Sequence, residues 1–248
     1  GRKVITNDFM SFNDIIGKAL VENPGYKLEK DDIDILFSDN SDPDNFSLMH
    51  ELYTDLFFVS EDSMFADSFR SNVHKLNNKY KQSLALAVMC RSMTRKVTMG
   101  HFAHKQAMVY AADPARVKRN RSLVRPLKEL FLDLLPEYNA AVFDNTKDNV
   151  SYNENILDLL PVLTDVDLVY FDPPYCNSHA DYQSFYHLLE TYVEYWKDKQ
   201  FVNGTKRYEP KRYSGFDKNS EAISNLKLLF ERADNLMFIE TLDTTVLI

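Results

Sequence analysis

Residues 168–175 read Leu-Val-Tyr-Phe-Asp-Pro-Pro-Tyr, an apolar run that stops at Asp172-Pro173-Pro174-Tyr175. Residues of these types in this order suit an amino group conjugated to an aromatic ring, whose lone pair is delocalised and weakly nucleophilic. If the Asp172 carboxylate accepts one N–H and the Pro173 carbonyl accepts the other, the nitrogen is drawn toward tetrahedral geometry and its lone pair is aimed at an electrophile. Tyr175 then offers a flat surface on which the ring stacks. The plainer alternative is a capped strand followed by a surface turn. Cys176 adjoins the motif, but no companion His and Asp pattern marks it as a nucleophile.

The positioning elements follow from the same stretch. Leu168, Val169, Tyr170 and Phe171 are expected to form a short strand buried on both faces, as in a parallel sheet. Two consecutive prolines must end it, because neither ring can donate to a ladder and each holds the preceding residue extended. Asp172 and the Pro173 carbonyl are thereby left at a carboxyl strand end, where open α/β sheets bind ligands.

Three further stretches accompany the motif. Upstream lies Asn149-Val150-Ser151-Tyr152-Asn153-Glu154-Asn155-Ile156-Leu157-Asp158-Leu159-Leu160, downstream Tyr182-Gln183-Ser184-Phe185-Tyr186-His187-Leu188-Leu189-Glu190, and near the start Val4-Ile5-Thr6-Asn7-Asp8. With Asp172 to Tyr175 as its specific element, the chain resembles the amino-group DNA methyltransferases that use S-adenosylmethionine, and among them the Dam-like adenine-specific family. The resemblance implies an α/β fold, a Rossmann-like methyltransferase sheet with a helical DNA-recognition insertion. It divides the chain into a catalytic domain of residues 1–37 and 136–248 and a target-recognition region of 38–135. It also implies transfer of a methyl group from S-adenosylmethionine to the 6-amino nitrogen of a flipped adenine in double-stranded DNA.

By the same resemblance Asp172, Pro173 and Tyr175 are catalytic, and Asp8, Phe9, Asn155 and Asp172 meet the cofactor. Asp8 would accept hydrogen bonds from the cofactor ribose, the plainer alternative being a cap for the helix after it. Phe9 could pack on the cofactor adenine or in the core. Asn155 competes for its role with Asn153 and Asp158. The family's Phe-x-Gly-x-Gly loop should precede Val4, yet no such sequence occurs among the six glycines. The expectation is that the first strand and its glycine loop are missing from this chain. A methyltransferase acting on cytosine amino groups or on RNA, or a catalytically silent DNA-binding subunit, are the alternatives.

At 248 residues with 44% hydrophobic content, the chain can bury a core of one α/β domain with an insertion. No apolar run approaches a membrane span, and two cysteines are too few for a disulfide framework, so a cytoplasmic protein is expected. The net charge of −8 hides a strong polarity. From Arg91 to Lys128 there are ten Lys and Arg against Asp113 alone, while residues 22–67 hold thirteen Asp and Glu against Lys27 and Lys30. The basic run suggests a polyanion site, with Arg91, Arg95, Lys105, Lys118, Arg119, Arg121 and Arg125 as DNA contacts; a solvated helix face is the plain rival. His101 and His104 lack a third ligand at usable spacing, so no metal site is expected. A cognate restriction endonuclease is left open as a further partner.

Elsewhere, helical spacing predicts helices over Phe12–Val21, from Ser60 to about Leu76, and over about Lys79–Lys96, the last delivering Arg91, Arg95 and Lys96 to the surface. Residues 97–112 read as a loop or recognition hairpin. Residues 115–135 read as helical with a break near Pro126, and Ala140–Phe143 as the return to the sheet.

Overall fold

The computed structural model describes residues 1–172, 181–216, 218–232 and 237–240. Its six strands among these residues are β1 (Ile5–Asn7), β2 (Val150–Tyr152), β3 (Leu168–Phe171), β4 (Gln200–Phe201), β5 (Tyr208–Glu209) and β6 (Met237–Glu240). They pair two by two, β1 with β2 and β3 with β6 in parallel, β4 with β5 antiparallel. Together with the helices they make a mixed α/β protein. No helix among the described residues is long and apolar enough to cross a membrane.

Two compact units form. The first holds Gly1–Asn153 and Gln183–Pro210, so residues 38–135 lie in it together with 1–37. In this unit β1 and β2 run with Ile5 opposite Val150 and Asn7 opposite Tyr152. The Ser11–Gly17 helix lies directly on this pair, and Gly17 is required there. A Cβ at Gly17 would come 2.3 Å from Ser151 Oγ and 2.8 Å from Thr6 Oγ1. The N-terminus of that helix is fixed from far along the chain. Glu190, fully buried in the His187–Glu194 helix, accepts the N–H groups of Ser11 at 3.0 Å and Phe12 at 3.1 Å. Carboxylate oxygens thus satisfy donors that an α-helix leaves without partners.

The Lys79–Arg95 helix is the core of this unit. Its start is capped by Asn78, whose side chain accepts from Tyr80 N and Lys81 N. Leu84 through Cys90 are buried without a break, and the helix packs on Leu127–Ala141. Phe37, Phe69 and Phe131 close the core with edge-on ring contacts, Phe69 and Phe131 at 5.0 Å. Burial holds Cys90 as the thiol, with its pKa pushed up to about 12.

The second unit comprises Glu154–Tyr182 and Lys211–Ile248. Here β3 and β6 run with Leu168 opposite Met237 and Phe171 opposite Glu240. A small core of Leu160, Phe216, Ala222 and Leu229 gathers Phe171, Leu157 and Leu226 around the Asn219–Arg232 helix. Gly215 adopts φ +79°, and its carbonyl accepts from Asn225 Nδ2 at 2.7 Å.

Four expectations are corrected. β3 is not buried on both faces: Phe171 turns to the small core, while Leu168 and Tyr170, on the opposite side of the pleat, are 47% and 56% exposed. Of the loop or hairpin expected over 97–112, the loop holds for 97–106 and no hairpin forms; the turns lead into a short helix, Ala107–Ala111. Ala140 and Ala141 complete the Leu127–Ala141 helix instead of opening a strand. Lys96 is not surface-exposed but 5% exposed, since it finds a buried partner, Asp62.

Candidate functional site

In the first unit the predicted cofactor residues lie just past the carboxyl end of β1. Asp8 continues the ladder by donating its N–H to Tyr152 O at 3.1 Å. Its carboxylate accepts from Met10 N at 2.7 Å and from Asn13 Nδ2 at 3.1 Å, so it stiffens the turn into the next helix. Each carboxylate oxygen can accept more than one hydrogen bond. A carboxylate acceptor so placed has the chemistry to take hydroxyl donors as well as to cap. Phe9 is half-buried beside it.

Asn153, the first residue beyond β2, fixes this turn. Its Nδ2 donates to Asp8 O at 2.8 Å and Phe9 O at 3.0 Å, and its Oδ1 accepts from Ser11 Oγ at 3.1 Å. The sequence offers Asn153 and Asn155 as near-equivalent candidates. Their places differ: Asn153 ties down the Asp8–Phe9 backbone, whereas Asn155 caps Ile156–Leu159 by accepting from Leu157 N at 3.0 Å. An amide side chain directly after a parallel strand is the signal that marks Asn153.

A cleft of about 420 Å³ opens in the same unit between Ser11, Asp14, Lys18, Arg70, His74 and Asn153. Asp8 and Phe9 do not line it.

In the second unit Asp172 is exposed and follows the last residue of β3 directly, at the carboxyl end of a parallel strand. Pro173, Pro174, Tyr175 and Cys176 lie outside the described residues. Asp8 and Phe9 thus belong to one unit, and Asn155 and Asp172 to the other.

The basic candidates all belong to the first unit. Arg91, Lys105, Lys118, Arg119 and Arg121 are exposed, and Arg95 and Arg125 are half-buried. Arg125 is engaged internally, by Glu129 at 3.2 Å and Asp133 at 2.5 Å. Arg119 Nε donates to Ala115 O at 3.3 Å within its own short helix, Pro114–Arg119. Arg116, which lies over the Tyr110 ring at 3.8 Å, pairs with Asp113.

The 97–106 segment is anchored by Phe102, fully buried, whose N–H donates to Phe185 O at 2.8 Å. His101 stacks on Phe185 at 4.9 Å. Burial, and then His104 nearby, hold the His101 pKa below its ordinary value. No group of three or more His, Cys, Asp and Glu among the described residues could hold a metal ion.

The family description D12 class N6 adenine-specific DNA methyltransferase matches residues 1–240. The Type II methyltransferase M2.HphI of Haemophilus parahaemolyticus is 36% identical over 199 residues, 78% of this chain and 58% of the relative. The chain therefore spans less than two thirds of that relative's length. No solved structure matches the chain significantly.

Proposed function

This chain belongs to the D12 class of N6 adenine-specific DNA methyltransferases, and from that premise we propose that it methylates the 6-amino nitrogen of adenine in double-stranded DNA. The observation that carries the proposal is Asp172, exposed at the carboxyl end of a parallel strand and followed in sequence by Pro-Pro-Tyr. An amino group paired inside a duplex cannot reach such a site, so the adenine must leave the stack.

S-adenosylmethionine, when bound, supplies an electrophilic methyl group. The chain's own residues bind and orient. Asp8 accepts from ribose hydroxyls, with Phe9 and Asn155 toward the cofactor adenine. Asp172 and the Pro173 carbonyl accept the two N–H groups of the target amine, and Tyr175 stacks the base. Catalysis in this reading is positioning and lone-pair orientation.

We read the parallel pairs with their helices as parts of a Rossmann-like methyltransferase fold. Residues 38–135 serve as a target-recognition insertion in a catalytic domain of 1–37 and 136–248. Arg91, Arg95, Lys105, Lys118, Arg119, Arg121 and Arg125 contact phosphates. A cognate restriction endonuclease as partner and a cytoplasmic location accord with the Type II designation of the Haemophilus relative.

The test is Asp172→Ala. Methyl transfer to adenine should be lost while DNA affinity stays near that of the unaltered protein, because the carboxylate acts on the base and not on phosphates. Methylation at more than a few per cent of the unaltered rate sinks the assignment.

A further inference from the structure

Asp62 and Lys96 form a buried ion pair far from Asp8 in sequence, with exposures of 4% and 5%. Asp62 stands in the first turn of the Ser60–Val73 helix, and Lys96 directly follows the Lys79–Arg95 helix. Lys96 Nζ lies 2.8 Å from Asp62 Oδ2, a charge contact without hydrogen-bond alignment. The aligned bond of Lys96 Nζ goes instead to Arg125 O, at 2.7 Å. The other Asp62 oxygen accepts from Leu127 N at 2.7 Å.

These three contacts close a ring in the chain. The segment 97–126 starts after Lys96 and ends before Leu127, and one carboxylate holds both points. The segment carries six Lys and Arg and one acid, Asp113. Its helices, Ala107–Ala111 and Pro114–Arg119, are only five and six residues long. Helices of that length do not stand alone in water. Their place must therefore be set by anchors, the buried Val97, Phe102, Ala107 and Leu123 and the pinched base.

A buried charge pair is an expensive way to pack a core, since apolar residues of similar volume often serve as well or better. Directional contacts to Arg125 O and Leu127 N are what apolar residues could not supply. We propose that Asp62 and Lys96 are positioning residues for DNA binding: they clasp the base of the basic segment and so set where its exposed cations meet phosphates. The proposal rests on the DNA-methylating reading above.

The test uses the double variant Asp62→Asn/Lys96→Met in the full chain. It removes both charges, while the amide oxygen can still accept from Leu127 N. Lys96→Arg, which keeps the charge, is the conservative control. The double variant should keep the thermal midpoint and the KM for S-adenosylmethionine. Its KM for DNA should rise roughly tenfold, and its log–log salt slope should fall by about one, as when a phosphate contact is lost. Amides of 97–126 should exchange faster, with 60–73 and 79–95 still protected, and Lys96→Arg should stay close to the unaltered protein. A folded double variant with unchanged KM for DNA and unchanged exchange overturns the clasp alone. Absence of DNA binding by the unaltered protein overturns the functional reading as well. If the double variant does not fold, the unaltered protein decides. Exchange of 97–126 at unfolded-peptide rates refutes the clasp, and protection like that of 127–141 supports it.

Discussion

His101 shows how one side chain can report on the segment that would read DNA. Its ring stacks on Phe185, and burial followed by the neighbouring His104 lowers its pKa from the ordinary 6.5. The folded state thus binds this proton less readily than the unfolded chain. The stability that His101 contributes is full above 6.5 and is lost as the pH falls through its lowered folded value. His101→Phe, which keeps a flat ring on Phe185, should remove that component of acid sensitivity. Urea midpoints between pH 7 and 5 check this, and equal pH dependence in both proteins would refute it. At the same scale the sequence is readable only in part. Asp172 can be placed at a strand end from the prolines alone. The division of labour between Asn153 and Asn155 cannot, because it depends on which backbone carbonyls lie across from β2, and those belong to Asp8 and Phe9.

Among the elements, the contact of the Ser11–Gly17 helix with β1 and β2 is the tightest. Gly17→Ala inserts a Cβ 2.3 Å from Ser151 Oγ, so either that hydroxyl gives up its bond to Asp14 Oδ1 or helix and strands separate. Overpacking of this kind typically costs about 1–3 kcal/mol, and here it should also move the turn that carries Asp8. The expected outcome is a lower denaturation midpoint together with weaker S-adenosylmethionine binding by calorimetry. Unchanged values of both would show that the strands yield freely. The Lys79–Arg95 helix is legible in the sequence, since an unbroken apolar run follows a good capping residue, Asn78. β3 is legible from its apolar run, whereas β1 and β2, Ile-Thr-Asn and Val-Ser-Tyr, are legible only through the family resemblance. Residues 97–112 are not, because they lack any regular period and take their shape from Phe185. The burial of Lys96 is equally hidden: its partner Asp62 stands 34 positions upstream (96 − 62), and no local pattern announces it. The half-exposed state of β3 is hidden for a related reason, since an apolar run alone does not say whether one face or two are covered.

Across the whole molecule, charge is separated along the chain, and the structure sorts the cations further. Arg119→Ala and Arg121→Ala should each lower the log–log salt slope of DNA affinity by about 0.9 for every true phosphate contact. Arg125→Ala should lower it less, since Arg125 is already paired with Glu129 and Asp133. Lys27→Ala and Lys30→Ala, in the acidic part, should leave the slope unchanged. Fluorescence anisotropy over a salt series measures all five, and identical slopes throughout would reduce the basic run to a solvated surface. The burial of Cys90 has a practical corollary. Its sulfur sits in the middle of the central helix at 2% exposure, with the thiolate suppressed by a pKa of about 12. Thiol reagents attack the thiolate, so at neutral pH this sulfur is chemically silent while the core is closed. In a Cys176→Ser background it becomes a stopwatch, its labelling rate reading directly how often the first unit opens.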